Sequence, residues 1–250
     1  MSQSAYALFG EHAESLSLPG EKKELMPGVR WGRFDEFFTP AFWAVRLWLD
    51  KDLKTYSRYK LGRSLKEEVA ACLLGGFGLP SEVGLAAFHR VRDAGLLETT
   101  PSTTALQDLL TRPLLVEGRS VRYRYPRQRS EYLAKALARL QTEAAPQSDL
   151  EFRDWLLSFR GIGPKTASWI TRNWLDSDKV AIIDVHIHRA GLLAGIFNPR
   201  EPVARHYFRM EAKFLEFAAA LDASVPSLDT LIWRHMKHLN ALALQQVALL

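Results

Sequence analysis

The sequence predicts an all-α protein, and three observations predict it. Apolar residues recur at helical spacing along the 250-residue chain. Sustained alternation of apolar and polar residues is scarce, and Gly, Pro, Ser and Asp fall where helices would start and stop. No fixed-period repeat is visible, which excludes a solenoid. Hydrophobic residues make up 47%, enough for one large domain or two smaller lobes.

The elements follow in order. Met1 to Gly20 mixes Glu11, His12 and Glu14 among its apolar residues and does not read as a secretory signal. Phe42, Val45, Leu47 and Trp48 mark an amphipathic helix. Val69, Cys72, Leu73 and Leu74 mark a buried one, stopped by Gly75-Gly76-Phe77-Gly78-Leu79-Pro80. Two more helices run from about Glu82 to Asp93 and from Ser130 to Leu140. Ser148-Asp149-Leu150-Glu151 reads as a capping box, leading into a helix faced by Phe152, Trp155, Leu156 and Phe159. Gly161-Ile162-Gly163 breaks that helix, and Pro164 opens the next, which continues from Thr166 to Trp174. Asp176-Ser177-Asp178 is a turn and Val180 to Ile183 a short buried run. Asp184 is the N-cap of a helix reaching Leu193. Ser227 reads as the cap of a helix carrying Leu228, Leu231, Ile232 and Trp233.

Charge and cysteine usage narrow the function. The formal net charge of +5 and a pI near 9.3 favour a polyanionic partner. The single cysteine, Cys72, leaves no intramolecular disulfide, no four-cysteine iron–sulfur cluster and no cysteine zinc site. No run approaches the roughly 20 apolar residues of a membrane span, so a cytoplasmic protein with no membrane partner is expected.

Two helices joined by Gly-Ile-Gly form a compact hairpin. Its glycines permit left-handed dihedrals and a close phosphate, and the amides opening the second helix would face that phosphate. A bare Gly-x-Gly also serves as an ordinary helix C-cap; its surroundings decide. Phe159-Arg160-Gly161-Ile162-Gly163-Pro164-Lys165-Thr166-Ala167-Ser168, followed by Ile183-Asp184-Val185-His186, resembles the helix-hairpin-helix and catalytic-Asp motif of base-excision DNA glycosylases. It is most similar to the 8-oxoguanine DNA glycosylase branch. Tyr123-Arg124-Tyr125-Pro126-Arg127-Gln128-Arg129 and Leu228-Asp229-Thr230-Leu231-Ile232-Trp233 extend the resemblance, which covers Arg122 to Trp233.

The resemblance implies a helix-hairpin-helix glycosylase fold of two helical lobes with a central cleft. Residues 1–62 would be a segment of unassigned role packed on the core. Residues 63–140 would form a first lobe with a basic DNA-facing stretch, and 141–250 the catalytic lobe. The expected partner is double-stranded DNA with a flipped modified base, bound by a monomer. No cofactor, metal or iron–sulfur cluster is expected.

Lys165 lies in the first turn of a helix, where the dipole disfavours an ammonium; desolvation acts the same way. A neutral amine can attack the anomeric carbon of a nucleoside, expel the base and leave an imine that permits β-elimination. Asp184 would stabilise the developing oxocarbenium charge. The helix after Pro164 carries the chain about 15 Å away, and the segment after Trp174 can return up to about 30 Å. Alone, Asp184 is a plain N-cap and Lys165 a solvated lysine; in this order they read as catalytic.

Around them, the resemblance places His186 on a DNA phosphate. His186 and His188, two residues apart, do not share a helix face and make a poor metal pair. Gly161, Ile162 and Gly163 join His186, Arg124, Arg127 and Arg129 as DNA-binding candidates. Trp169, one turn after Lys165, could stack on the extruded base or simply pack in the core. Asp229 and Trp233, again four apart, are candidates for the opposite wall, although core packing is the stronger reading of Trp233. Between Arg112 and Arg139 lie eight basic residues against Glu117 and Glu131, interleaved with Tyr123 and Tyr125. Such a run suits backbone tracking, or a solvated face.

The pattern departs from the family in two places. Gly75 to Gly78 carry no polar gap-filler, leaving Phe77 as a wedge, and the closing residues Gln245 to Leu250 include no lysine for base recognition. The leading expectation is a bifunctional glycosylase/AP lyase acting on a damaged purine, 8-oxoguanine foremost. The alternatives are an enzyme for another modified base in a bacterial antiphage defence operon and a non-catalytic DNA-binding module.

Overall fold

A computed structural model describes residues 2–50, 60–76 and 78–250. Among the described residues eleven α-helices dominate, with three two-stranded antiparallel sheets. In chain order the elements are β1 (Gln3–Phe9), β2 (His12–Leu18), β3 (Glu24–Met26), β4 (Val29–Arg30), α1 (Pro40–Leu49), α2 (Leu65–Leu74), α3 (Ser81–Asp93) and α4 (Thr103–Thr111). There follow β5 (Leu114–Val116), β6 (Arg119–Val121), α5 (Pro126–Thr142), α6 (Asp149–Leu157), α7 (Pro164–Leu175), α8 (Val185–Leu193), α9 (Val203–Ala220), α10 (Val225–His238) and α11 (Asn240–Val247). None of these helices is long and apolar enough to cross a membrane.

The chain folds as two compact units, and they are not successive in sequence. Met1–Arg58 and Asp178–Leu250 form one; Tyr59–Ser177 form the other. The sequence predicts boundaries at residues 62 and 140, in series. Asp184 and Lys165, assigned there to one lobe, therefore belong to different units.

The Tyr59–Ser177 unit is organised around α2, which packs against α3, α5 and α7. Ser64 starts α2 by accepting from the Glu67 amide, and Ser102 does the same for α4 through Ala105. Leu73, Leu74, Phe88, Leu106, Leu110 and Phe152 are fully buried within this unit. Each such aromatic, cut back to alanine, would cost about 3–5 kcal/mol. In the other unit α8 packs on α10 and α11, and α1 on α10. Its core holds Phe38, Trp43, Phe214, Phe217, Leu231 and Met236, all buried. Thr39 caps α1 and Pro40 opens it.

Two expected caps are corrected. Ser148 occupies the N-cap of α6 but makes no side-chain cap hydrogen bond, so no capping box forms. Instead Asp149 accepts from the Ser177 hydroxyl at 2.6 Å, joining the start of α6 to the residues after α7. The cap of α10 is Ser224, which accepts from the Ser227 amide; Ser227 lies inside the helix's first turn. A serine and a proline stand ahead of it in the order that starts a helix, and the earlier serine is the one used.

The β1–β2 hairpin was not expected. Its two-residue turn, Gly10-Glu11, joins Phe9 to His12, with Gly10 at φ +63°, the glycine position of a II′ turn. Tyr6 and Leu8 point outward, 80% and 75% exposed, while Ala5 is buried. Apolar residues occupy both faces, so no period-two pattern appears in the hydropathy.

Candidate active site

The hairpin is built by α6 and α7. The Ile162 amide donates to the Phe159 carbonyl at 3.0 Å, closing the turn, and Ile162 is buried as its anchor. Gly161 stands at φ +90°, where an L side chain is strained. A Cβ there would also meet the Tyr132 ring at 2.1 Å. Gly163, by contrast, is extended, with φ −95° and ψ 178°. Of the two glycines, which both permit left-handed dihedrals, only Gly161 adopts one. A Cβ on Gly163 would meet nothing within 4 Å, so the backbone there is open to a close approach. Pro164 takes the first position of α7, and Ala167 donates to the Gly163 carbonyl at 2.9 Å. The Lys165 and Thr166 amides thus head the helix without an intrahelical acceptor, at the positive end of its dipole. That is the chemistry of an anion cradle.

Lys165 is half-buried, its Nζ 5.8 Å from the centroid of the Trp169 ring one turn on. Trp169 is also half-buried and borders the glycine turn after α2. A Cβ at Gly75 would lie 3.6 Å from its ring. A Cβ at Gly78 would lie 3.5 Å from an Arg124 guanidinium nitrogen and 3.9 Å from the Tyr125 hydroxyl. The turn without polar side chains therefore has a guanidinium beside it, supplied by the segment between β6 and α5. Phe77, the expected wedge, lies outside the described residues.

Of the basic stretch, Arg124 and Arg127 are exposed, whereas Arg129 is half-buried. Tyr123 corrects the expectation of an aromatic facing DNA. It is 5% exposed and its hydroxyl donates to the Leu74 carbonyl at 2.7 Å. Burial pushes that hydroxyl's pKa up, with the Arg129 charge acting in the opposite sense. Arg139 also faces its own fold, binding Glu143 and the Ser158 carbonyl.

In the other unit Asp184 heads α8. Its Oδ1 accepts from the His186 amide at 2.8 Å and the Ile187 amide at 2.9 Å. Both cap bonds fall on one oxygen, which fixes the carboxylate's direction and leaves Oδ2 outside the cap. The approach to Asp184 is braced by two buried α9 side chains that the sequence reading missed. Tyr207 donates its hydroxyl to the Ala181 carbonyl (2.9 Å) and accepts from the Ile183 amide (3.2 Å). Glu211 accepts from the Ala181 amide at 3.1 Å. Their only sequence signal is an i, i+4 polar pair on the buried face of an amphipathic helix.

His186 is half-buried in the first turn of α8. His188 stacks on Phe197, with centroids 6.0 Å apart, and burial pushes its imidazole pKa down. On α10, which packs against α8, Asp229 is 5% exposed and Trp233 is half-buried.

The model of the 8-oxoguanine DNA glycosylase family matches residues 50–223. The chain belongs to the 8-oxoguanine DNA glycosylase family. An 8-oxoguanine DNA glycosylase/AP lyase of Metallosphaera sedula is 32% identical over 119 residues, 44% of this chain and 57% of that protein. This alignment thus takes in little over half of that relative's length. The fold agrees with that of the Thermotoga maritima 8-oxoguanine DNA glycosylase: TM-score 0.61, 21% identity, 78% of this chain and 96% of that one. It agrees also with the Methanocaldococcus jannaschii 8-oxoguanine glycosylase/lyase bound to a 15mer DNA containing 8-oxoguanine. There the TM-score is 0.53 and the identity 21%, over 79% of this chain and 90% of that one.

Lys165, Trp169, Asp184, His186 and the Arg124–Arg129 stretch fall inside the family match; Asp229 and Trp233 lie beyond it. Within the match a second buried polar centre also escaped the sequence reading. Glu68, 0% exposed, accepts from the Leu61 and Gly62 amides at 2.6 and 2.9 Å and from the Asn173 amide group at 2.7 Å. It ties the loop before α2, and α2 itself, to α7, the helix that Lys165 opens. Burial raises its carboxyl pKa above 4.5, and the hydrogen bond from Asn173 is the largest opposing effect.

Proposed function

We propose that this family member is a bifunctional DNA glycosylase/AP lyase that excises a damaged purine, 8-oxoguanine foremost, with Lys165 as nucleophile and Asp184 as catalytic carboxylate. One observation carries the reading. A lysine occupies the first turn of the helix that a Gly-Ile-Gly-Pro hairpin opens, and an aspartate of fixed direction heads a later helix, both inside the family match. The names of the relatives support the substrate class.

In this reading the hairpin amides and His186 hold phosphates flanking the damaged nucleotide, and Arg124 and Arg127 neutralise the backbone nearby. The Lys165 amine attacks C1′. The glycosidic bond breaks with its electron pair leaving on the base, which takes up a proton. Asp184 stabilises the positive charge that develops on the sugar as that bond stretches. The ring opens to an imine on Lys165, a C2′ proton is removed, and the C3′–O bond breaks, nicking the strand. Water then hydrolyses the imine and regenerates the amine. Trp169 offers a stacking plane for the extruded base, and Asp229 and Trp233 supply an acceptor and a second plane.

The test is incubation with duplexes carrying 8-oxoguanine, other damaged purines or an abasic site, with borohydride added. The reading expects strand cleavage and a covalent complex with the 8-oxoguanine duplex. DNA that is bound but neither cleaved nor trapped, whatever the lesion, overturns it.

A further inference from the structure

We infer that Lys237 is a base-recognition residue, donating from its ammonium to a carbonyl oxygen on the extruded base. The inference rests on the base-excision reading above and adds to it a specificity-determining residue. Asp229, Trp233 and Lys237 stand four apart on α10 and so run along one flank of that helix. The flank changes character along its length: a buried carboxylate, a half-buried indole, then an exposed ammonium. The Lys237 Nζ lies 4.3 Å from the centroid of the Trp233 ring, and among the described residues it makes no ion pair.

An exposed lysine held on an indole face is weakly restrained, and its four-carbon stem lets the head group swing through several ångströms. When a base stacks on Trp233, the ammonium is delivered beside the base's edge. The stripe then presents an acceptor, a π plane and a cationic donor in sequence. Its complement is a purine with a ring N–H for Asp229 and a carbonyl oxygen for Lys237. Guanine and its oxidised forms have both, whereas adenine has no carbonyl, so the stripe selects guanine-type bases over adenine.

The test compares two variants on two substrates. Lys237→Met keeps the apolar stem and removes the charge; Lys237→Arg keeps a charged donor. Single-turnover rates are measured on an 8-oxoguanine duplex and on the same duplex with an abasic site, which has no base to recognise. The expected result is a fall of about 10-fold to 100-fold in the ratio of base excision to abasic-site cleavage for Lys237→Met, the range of one charge-assisted hydrogen bond. Lys237→Arg should restore most of it. A Lys237→Met ratio within about 2-fold of wild type overturns the inference alone, because a phosphate contact would slow both substrates together. Wild-type protein that cleaves neither duplex overturns the base-excision reading first, and this inference with it.

Discussion

Asp184 is both a helix cap and the proposed catalytic carboxylate, and two substitutions separate the roles. Its Oδ1 holds two amides, at 2.8 and 2.9 Å. Asparagine keeps an oxygen in that place and caps as well as aspartate, losing only the charge–dipole contribution of about 0.3–1 kcal/mol. Alanine loses the cap, at about 1–2 kcal/mol. In a chain of this size 1 kcal/mol shifts Tm by about 2–4 °C. Asp184→Asn should therefore melt about 1–4 °C below wild type and Asp184→Ala about 2–8 °C below. Activity should not follow stability. Removing the charge that faces the developing oxocarbenium should slow single-turnover excision by about 100-fold to 1,000-fold in both variants. The assay pairs calorimetry with strand cleavage on the 8-oxoguanine duplex. Asp184→Asn cleaving within about 3-fold of wild type would show that the residue is a cap and nothing more.

Three other outcomes follow from the same geometry. Tyr207→Phe orphans the buried Ile183 amide and Ala181 carbonyl, so unfolding free energy should fall by about 1–3 kcal/mol in chemical denaturation, and hydrogen exchange at Ile183 should quicken. Gly161→Ala places a Cβ at φ +90° and into the Tyr132 ring; it should destabilise by more than about 1 kcal/mol and weaken duplex binding in a fluorescence titration. The Glu68 carboxyl has a raised pKa in the fold, so the native state holds its proton to higher pH than the unfolded chain. The Glu68 contribution is thus fully present below 4.5 and lost as pH rises from there through the raised value, and the matching slope of Tm against pH should be missing in Glu68→Gln.

Local grammar was legible in the sequence wherever one residue type does one job. Pro164 opens α7, Asp184 caps α8, and Gly161 bends the hairpin, each because backbone chemistry admits few alternatives. The helical class was legible from periodicity alone. What stayed hidden depends on packing between distant segments. The β1–β2 hairpin buries alanine and exposes tyrosine and leucine, so its inner face has no hydropathy contrast. Tyr123 reads as a nucleic-acid aromatic among arginines, yet the Leu74 carbonyl 49 residues away claims its hydroxyl. Tyr207 and Glu211 look like any core pair until Ala181 and Ile183 are seen against them. The same holds for the division of the chain, since residues 1–58 and 178–250 meet only through the fold.

The central claim is that Lys165 forms the covalent bond to the sugar. Borohydride reduction of the protein on an 8-oxoguanine duplex, followed by nuclease and protease digestion and tandem mass spectrometry, tests it directly. The account predicts a sugar remnant on the Lys165 side chain and no adduct in Lys165→Gln. A remnant on another amine, or a Lys165→Gln protein that still nicks the strand at the wild-type rate, would contradict it.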